Sequence, residues 1–397
     1  MCEFSIPGVR LGVAQAGIKY EGRDDLTLIE IAEGSSTAAV FTLNAFRAAP
    51  VVVAQRNNAN QDARYILINS GNANAGTGKP GMDACKASCA AVAKLADDVP
   101  DRVLPFSTGV IGELLPVDKI ETALPEAMAD LSEANWARAA RAIMTTDTRP
   151  KLRAKTVEVN GQSCQIVGMS KGSGMIQPNM ATMLGFIATD AAIPPTMLDG
   201  LLRAAVNLSF NRITVDGDTS TNDAVTLTAT GHSDFVISPT TTDAAQAFQL
   251  ALTAMATELA QDIVRDGEGA TKFVAIEVSG AASVAEADLI ARTVAHSPLV
   301  KTALFASDPN WGRILAAIGR AGVENLNVDA VSLFINDELI AENGARAESY
   351  TEQAGVAAMS SEDLLISIDL ARGNETATIW TTEFSYDYVK INTEYRT

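Results

Sequence analysis

The chain has 397 residues, with 30 lysines and arginines against 48 aspartates and glutamates, and a formal net charge of −18. That surplus repels polynucleotide phosphates and anionic membrane surfaces, so a nucleic-acid or membrane partner is not expected. The length exceeds what one hydrophobic core usually serves, and two domains are the expectation. Short β-rich runs come first, at 9–14, 26–32, 38–43, 51–55 and 65–69. Apolar residues then recur at Met82, Cys85, Cys89, Val92 and Leu95, which predicts a helix over 82–96. Helices are expected at 119–128, 134–144, 196–208 and 243–265, and strands at 151–158, 163–169, 184–189, 225–230 and 273–278. Helices near 284–296 and 312–320 follow, then strands near 331–336 and 364–369, and 385–391 reads as strand-like. The class is mixed α/β with layered sheets. A boundary near Ser279-Gly280 divides it into a catalytic α/β domain at 1–279 and a smaller one at 280–397.

The first ten residues, MCEFSIPGVR, lack a basic region followed by an apolar run, and no stretch holds about 18 uninterrupted apolar residues. A cytoplasmic location is therefore the expectation. Four cysteines and two histidines give no metal pattern. Cys85 and Cys89 read as small buried residues on one helix face, and His232 and His296 stand too far apart to suggest zinc or a histidine triad.

Two glycine- or aspartate-rich stretches invite cofactor readings and fail them. Gly76-Thr77-Gly78-Lys79-Pro80-Gly81 satisfies GxGxxG, yet its first glycine follows the strand end by about six residues, and Pro80 withholds an amide where a phosphate needs one. Asp216, Asp218, Ser220 and Asn222 alternate like a calcium loop, but Thr221 stands where glycine is required and Leu227 where a bidentate glutamate is. DGDTSTND (216–223) then reads as a polar turn bonding its own amides or as part of a catalytic site. Asp308 and Asn310 are expected to cap the helix that begins near Trp311.

The most informative stretch is KGSGMIQPNMATML (171–184). A glycine-flexible approach runs through Pro178 and Asn179 to the small-residue junction Ala181-Thr182, which looks like a place where the chain cuts itself. A break before Thr182 leaves a hydroxyl nucleophile and a free α-amine on one residue, the minimal equipment for acyl transfer. An α-amine with a pKa of about 7.7–8.0 is partly unprotonated near neutral pH and takes the hydroxyl proton. Thr108 and Gly109, after an apolar run, suit an oxyanion pair, with an ordinary turn as the competing reading. Lys171, amid glycines and small residues, is a candidate for a substrate carboxylate, against a solvated surface position.

This string, with SGNANAGTG (70–78), STGVIGE (107–113), TTDT (145–148), DGDTSTND, DGEGATK (266–272), DPNWGR (308–313) and INTEYRT (391–397), resembles the ornithine acetyltransferase (glutamate N-acetyltransferase) family over essentially the whole chain. The resemblance implies an enzyme of arginine biosynthesis that cleaves itself between Ala181 and Thr182 and moves acetyl from N-acetylornithine to glutamate through acetyl-Thr182. It assigns Thr108 and Gly109 to the oxyanion hole and puts Thr148, Lys171, Glu268, Asn392 and Thr397 around the substrate. It also implies a layered αββα-type sandwich of mixed sheets with a smaller C-terminal α/β domain, segments 1–181 and 182–397 associated as two copies of each, and no cofactor, with acetyl-CoA as a co-substrate in bifunctional members. The residues leave two other classes open: an N-terminal-nucleophile amidase or aminopeptidase with water as acceptor, and a non-enzymatic amino-acid-binding protein.

Overall fold

A computed structural model of the chain describes residues 4–177, 183–239 and 241–395. Two compact units emerge, one of Met1–Asn211 with Asp218–Ile263, the other of Arg212–Gly217 with Val264–Thr397. The first carries β1 (Val9–Ala14), β2 (Leu26–Ile31), β3 (Ser36–Phe41), α1 (Ala49–Asn60), β4 (Tyr65–Asn72), α2 (Gly78–Ala96), β5 (Val103–Val110), α3 (Val117–Ala129) and α4 (Trp136–Ala142). It continues with β6 (Lys151–Val159), β7 (Gln162–Lys171), β8 (Leu184–Thr189), α5 (Pro195–Leu208), β9 (Ala224–Ala229) and α6 (Thr242–Arg265), whose last residues pass into the second unit.

Two mixed sheets build the first unit, in the orders β1-β2-β4-β5 and β3-β9-β8-β7-β6. Side chains alternate along each strand, and here both faces are apolar. Ile29, Ile31, Ile66, Ile68 and Phe106 of one sheet meet Val167, Met169, Leu184 and Phe186 of the other. Phe106 and Phe186 pack edge to face, centroids 5.2 Å apart, a pair contributing about 0.5–1.5 kcal/mol beyond area burial. On the opposite face Leu26, Leu28, Tyr65 and Leu67 pack with Cys85, Cys89, Val92, Ile120 and Leu124 of α2 and α3. The second sheet's outer face lies under α6, so close that a Cβ on Gly168 would come 3.0 Å from Met255 Cε and 3.2 Å from Leu259 Cδ1. The layers are therefore helix, sheet, sheet, helix, and the expected sandwich of mixed sheets is present.

The second unit adds β10 (Phe273–Ala281), α7 (Val284–Ala295), α8 (Pro298–Phe305), α9 (Trp311–Gly319), β11 (Ser332–Ile335), β12 (Glu338–Glu342), β13 (Ala345–Arg346), α10 (Glu352–Ala358), β14 (Asp363–Asp369), β15 (Glu375–Thr381) and α11 (Tyr386–Glu394). Its sheet runs β13-β12-β11-β14-β10-β15, with Val274, Ile276, Ile366 and Ile379 packed with Ile290, Val294 and Ile318. Asn310 Oδ1 accepts the Arg313 N–H at 3.2 Å, the helix cap expected there.

Three expectations differ from the structure. The run 51–55, read as a strand from its valines, lies inside α1, with Pro50 in the first turn and Val51, Val53, Ala54 and Asn57 buried along one face. Burying that face outweighs a β preference whose whole range is about 1 kcal/mol. The run 385–391 is also helical: Ser385 Oγ accepts the Tyr388 N–H at 3.1 Å and starts α11. An N-cap of this kind contributes about 1 kcal/mol, enough to overcome the strand preference of Tyr386 and Tyr388. Finally, Ser279-Gly280 falls inside β10, which pairs in parallel with β14 over Phe273 to Ser279, and the compact units part after Ile263 instead.

Candidate active site

β7 and β8 pair antiparallel with Lys171 opposite Leu184, so residues 172–183 connect them and contain the Ala181-Thr182 junction. Ala181 and Thr182 lie outside the described residues, as does Thr397. The described flanks are both anchored from one stretch of chain. Thr219 Oγ1 donates to the Gln177 carbonyl at 3.0 Å, and the Ala224 N–H donates to the Met183 carbonyl at 3.0 Å. The same stretch reaches β5: Asn222 Nδ2 donates to the Ser107 carbonyl at 2.9 Å and the Ala73 carbonyl at 2.6 Å. DGDTSTND does bond partly to itself, with Asn222 N–H on Ser220 Oγ at 3.2 Å. Its larger consequence is to tie the flanks of the junction to the strand that carries Thr108.

Thr108 and Gly109 stand near the end of β5, in parallel register with Ser70 and Gly71 of β4. Gly109 has φ +137°, and a Cβ there would lie 2.1 Å from the Gly71 carbonyl carbon, so no other residue fits. Ser107 Oγ donates to Asn69 Oδ1 at 2.6 Å, and Asn69 Nδ2 to the Asn72 carbonyl at 2.8 Å, which hold the two strand ends together.

Lys171 is only 8% exposed, which removes the solvated-surface reading. Its Nζ donates to Thr108 Oγ1 at 3.1 Å and to Thr145 Oγ1 at 2.9 Å, and lies 4.0 Å from Asp147 Oδ2. Asp147 is buried and accepts from Lys151 Nζ and the Gly172 N–H, both at 2.7 Å, and from the Thr145 N–H at 3.0 Å. Burial alone would raise its pKa; the nearby Lys171 and Lys151 charges, aided by those hydrogen bonds, outweigh it and hold the carboxyl well below the ordinary value. Asp147 therefore stays ionised and compensates two buried ammonium groups. Thr148, the next residue, is exposed.

In the second unit Glu268, in the loop after α6, is 7% exposed and accepts from Asn392 Nδ2 of α11 at 2.7 Å. The loop lies close on the helix start: a Cβ on Gly269, at φ +69°, would fall 2.6 Å from the Tyr388 backbone nitrogen. The structure thus brings Thr108, Gly109 and Lys171 together in one unit and Glu268 with Asn392 in the other.

Sequence reasoning did not single out Asp147, Lys151 or Asp223, and it named Asn222 only within the calcium-loop pattern that failed. TTDT and DGDTSTND contain all but Lys151, yet nothing in a polar tetrad says which member is buried. Gly81 has a packing reason instead of a phosphate one, since a Cβ there would lie 1.8 Å from Thr77 Oγ1. Cys85, Cys89 and Cys164 are buried, and no group of metal-ligating side chains occurs among the described residues.

Buried donors at the end of β5, together with the anchored flanks of the β7–β8 connection, suit an acyl-transfer enzyme. A profile of the ArgJ family matches residues 10–397. The arginine biosynthesis bifunctional protein ArgJ of Methylococcus capsulatus is 56% identical over 392 residues, covering 99% of this chain and 96% of that one. Its counterpart in Pseudomonas syringae is 54% identical over 396 residues, covering 99% and 97%. The chain belongs to the ArgJ family, which sets the non-enzymatic reading aside. Among solved structures, the bifunctional ArgJ of Bacillus halodurans is 40% identical with a TM-score of 0.48, covering 51% of this chain and 95% of that one. An ornithine acetyltransferase of Mycobacterium tuberculosis complexed with ornithine is 33% identical with a TM-score of 0.40, covering 46% and 98%.

Proposed function

We propose that the enzyme transfers acetyl from N-acetylornithine to glutamate in a ping-pong reaction through acetyl-Thr182, after cutting its own chain between Ala181 and Thr182. The observation that carries this reading is the anchoring of Gln177 and Met183, on either side of the junction, by the stretch whose Asn222 also holds the Thr108 strand. An autoproteolytic bond needs a backbone held in place and oxyanion donors beside it, and this arrangement supports both.

The Thr182 hydroxyl attacks the acetyl carbonyl of acetylornithine while its proton passes to the Thr182 α-amine and on to the leaving ornithine nitrogen. Thr108 Oγ1 accepts a hydrogen bond from Lys171, which directs and polarises its own O–H as a donor. That O–H and the Gly109 N–H receive the oxyanion, and glutamate's amine then takes the acetyl group. As the resemblance implies, Lys171 and Thr148 are candidates for amino-acid recognition in the first unit, and Glu268, Asn392 and Thr397 in the second; a carboxylate such as Glu268 suits the cationic end of ornithine. Acetyl-CoA is a second donor, consistent with the relatives' bifunctional names. Segments 1–181 and 182–397 stay associated, two copies of each, in the cytoplasm.

Denaturing electrophoresis and intact mass should show two segments starting at Met1 and Thr182, and Thr182→Ala should remain one inactive chain. A second start elsewhere, or an active uncleaved wild type, would overturn the reading. Acetylornithine loss that does not depend on glutamate would favour the amidase class, and acetylglutamate formed from acetyl-CoA and glutamate alone tests the second donor.

A further inference from the structure

Asp223 stands one residue before β9, 3% exposed, with its Oδ2 buried and without a hydrogen-bond partner among the described residues. A buried, unsatisfied carboxyl oxygen costs roughly 1–3 kcal/mol or more, so its retention calls for an explanation. Its position supplies one. β8 and β9 run parallel with Leu184 beside Ala224, and the Ala224 N–H bonds the Met183 carbonyl at 3.0 Å, which sets Asp223 and Met183 at the same level of adjacent strands. Thr182 is joined to Met183 by one peptide bond. Ser220 bonds the Asp223 carboxyl, and Lys171 of β7 is the charged group that acts on it.

We propose that Asp223 is the positioning residue that receives the α-amine freed at Thr182, its unpartnered oxygen being the acceptor reserved for that amine. This rests on the reading of Thr182 as an autoproteolytic nucleophile. In the intact chain the nitrogen of residue 182 is an amide without charge, and burial drives the Asp223 carboxyl towards its protonated form.

During cleavage the Thr182 oxygen bonds to the Ala181 carbonyl carbon, the C–N bond breaks, and the hydroxyl proton goes to nitrogen. Water then hydrolyses the ester, releasing the Ala181 carboxylate and a proton and restoring the hydroxyl. The new amine takes the carboxyl proton from Asp223, which gives an ammonium–carboxylate pair from two neutral groups with no net buried charge. In turnover that proton moves back, so the amine serves as the base for the hydroxyl while Asp223 holds its orientation.

The carboxylate favours the charged amine, so removing its charge lowers the amine's pKa; Lys171, which opposes it, remains in place. In Asp223→Asn that has cut itself, the acid limb of kcat/KM should move to lower pH by about one unit, with kcat reduced more than KM changes. A cleaved Asp223→Asn enzyme with the wild-type limb and kcat overturns the proposal while leaving Thr182 as nucleophile. A Thr182→Ala chain that is cleaved or active removes the underlying reading instead.

Should Asp223→Asn stay whole or fail to fold, the Tm of wild type and Thr182→Ala between pH 4 and 8 decides. In the uncut Thr182→Ala chain the folded pKa of Asp223 is raised, so stability is lost as pH rises, whereas the paired carboxylate of the cut wild type shows no such loss. The Tm gap between the two should open with pH. Parallel curves overturn the proposal.

Discussion

Thr108 and Gly109 show how one strand end serves two ends at once. Gly109 is required by its backbone contact with Gly71 whatever the chemistry, whereas the Thr108 hydroxyl is held by a hydrogen bond from Lys171. Thr108→Ala should lower turnover by roughly 100–1000-fold, the usual loss of one oxyanion donor, with KM nearly unchanged. Wild-type turnover in that variant would move the oxyanion hole elsewhere. Asp147 tests the electrostatics beneath it. Its depressed pKa means that its contribution is present above the unfolded carboxylate value of about 3.9 and is lost as pH falls through the folded value. Asp147→Asn leaves Lys151, 1% exposed, without its counter-charge and should cost about 3–5 kcal/mol at neutral pH. Urea unfolding at pH 7 and at pH 3 should show that deficit narrowing in acid; an equal deficit at both would mean that lost packing, not lost charge, is responsible.

At the scale of elements, α11 ties a chain end to a buried carboxylate of the second unit. Ser385 starts the helix, and Asn392 reaches back to Glu268 at 2.7 Å. Deleting 392–397 removes the hydrogen bond that orients this buried carboxylate, and bonds to charged groups are worth about 1.5–3 kcal/mol. The truncated enzyme should show KM for acetylornithine raised roughly tenfold or more. It should also release more acetate per acetylglutamate, with self-cleavage intact. Unchanged kinetics and product ratio would make the tail an ordinary solvated end. The strand reading of 385–391 failed for the reason the valines of α1 misled: branched and aromatic residues signal strands only while their burial in another element is unknown. Where the pattern was long and amphipathic, as in α2 or α6, the helix was legible within a few residues.

For the molecule as a whole, pH dependence of stability has one probe in the second unit. Lys301 of α8 is fully buried, donating to Thr381 Oγ1 at 2.9 Å and to the Thr382 carbonyl. Burial lowers its pKa to about 7, with the Asp216 and Glu383 charges opposing. Its folded pKa lies below the unfolded value of about 10.4, so between them the unfolded chain holds the extra proton and stability rises with pH, while below about pH 7 the full penalty applies. Lys301→Met should flatten the rise in denaturation free energy between pH 7.5 and 9.5. A variant with the wild-type slope would show that the lysine keeps its proton.

By itself the sequence determined the class, the family and most of the regular elements, and it pointed to Ala181-Thr182 as the candidate junction, because periodicity, capping residues and long motifs are local signals. Lys171 and Thr108 were nameable from their neighbours alone. That Lys171 bonds Thr108, that Asp147 balances two lysines, that the stretch 219–224 ties β5 to the flanks of residue 182, and that the compact units part after Ile263 were decided only in three dimensions. Each of these joins residues distant in sequence or depends on how deeply a polar group is buried. Neither separation in space nor desolvation leaves a mark in the order of the residues.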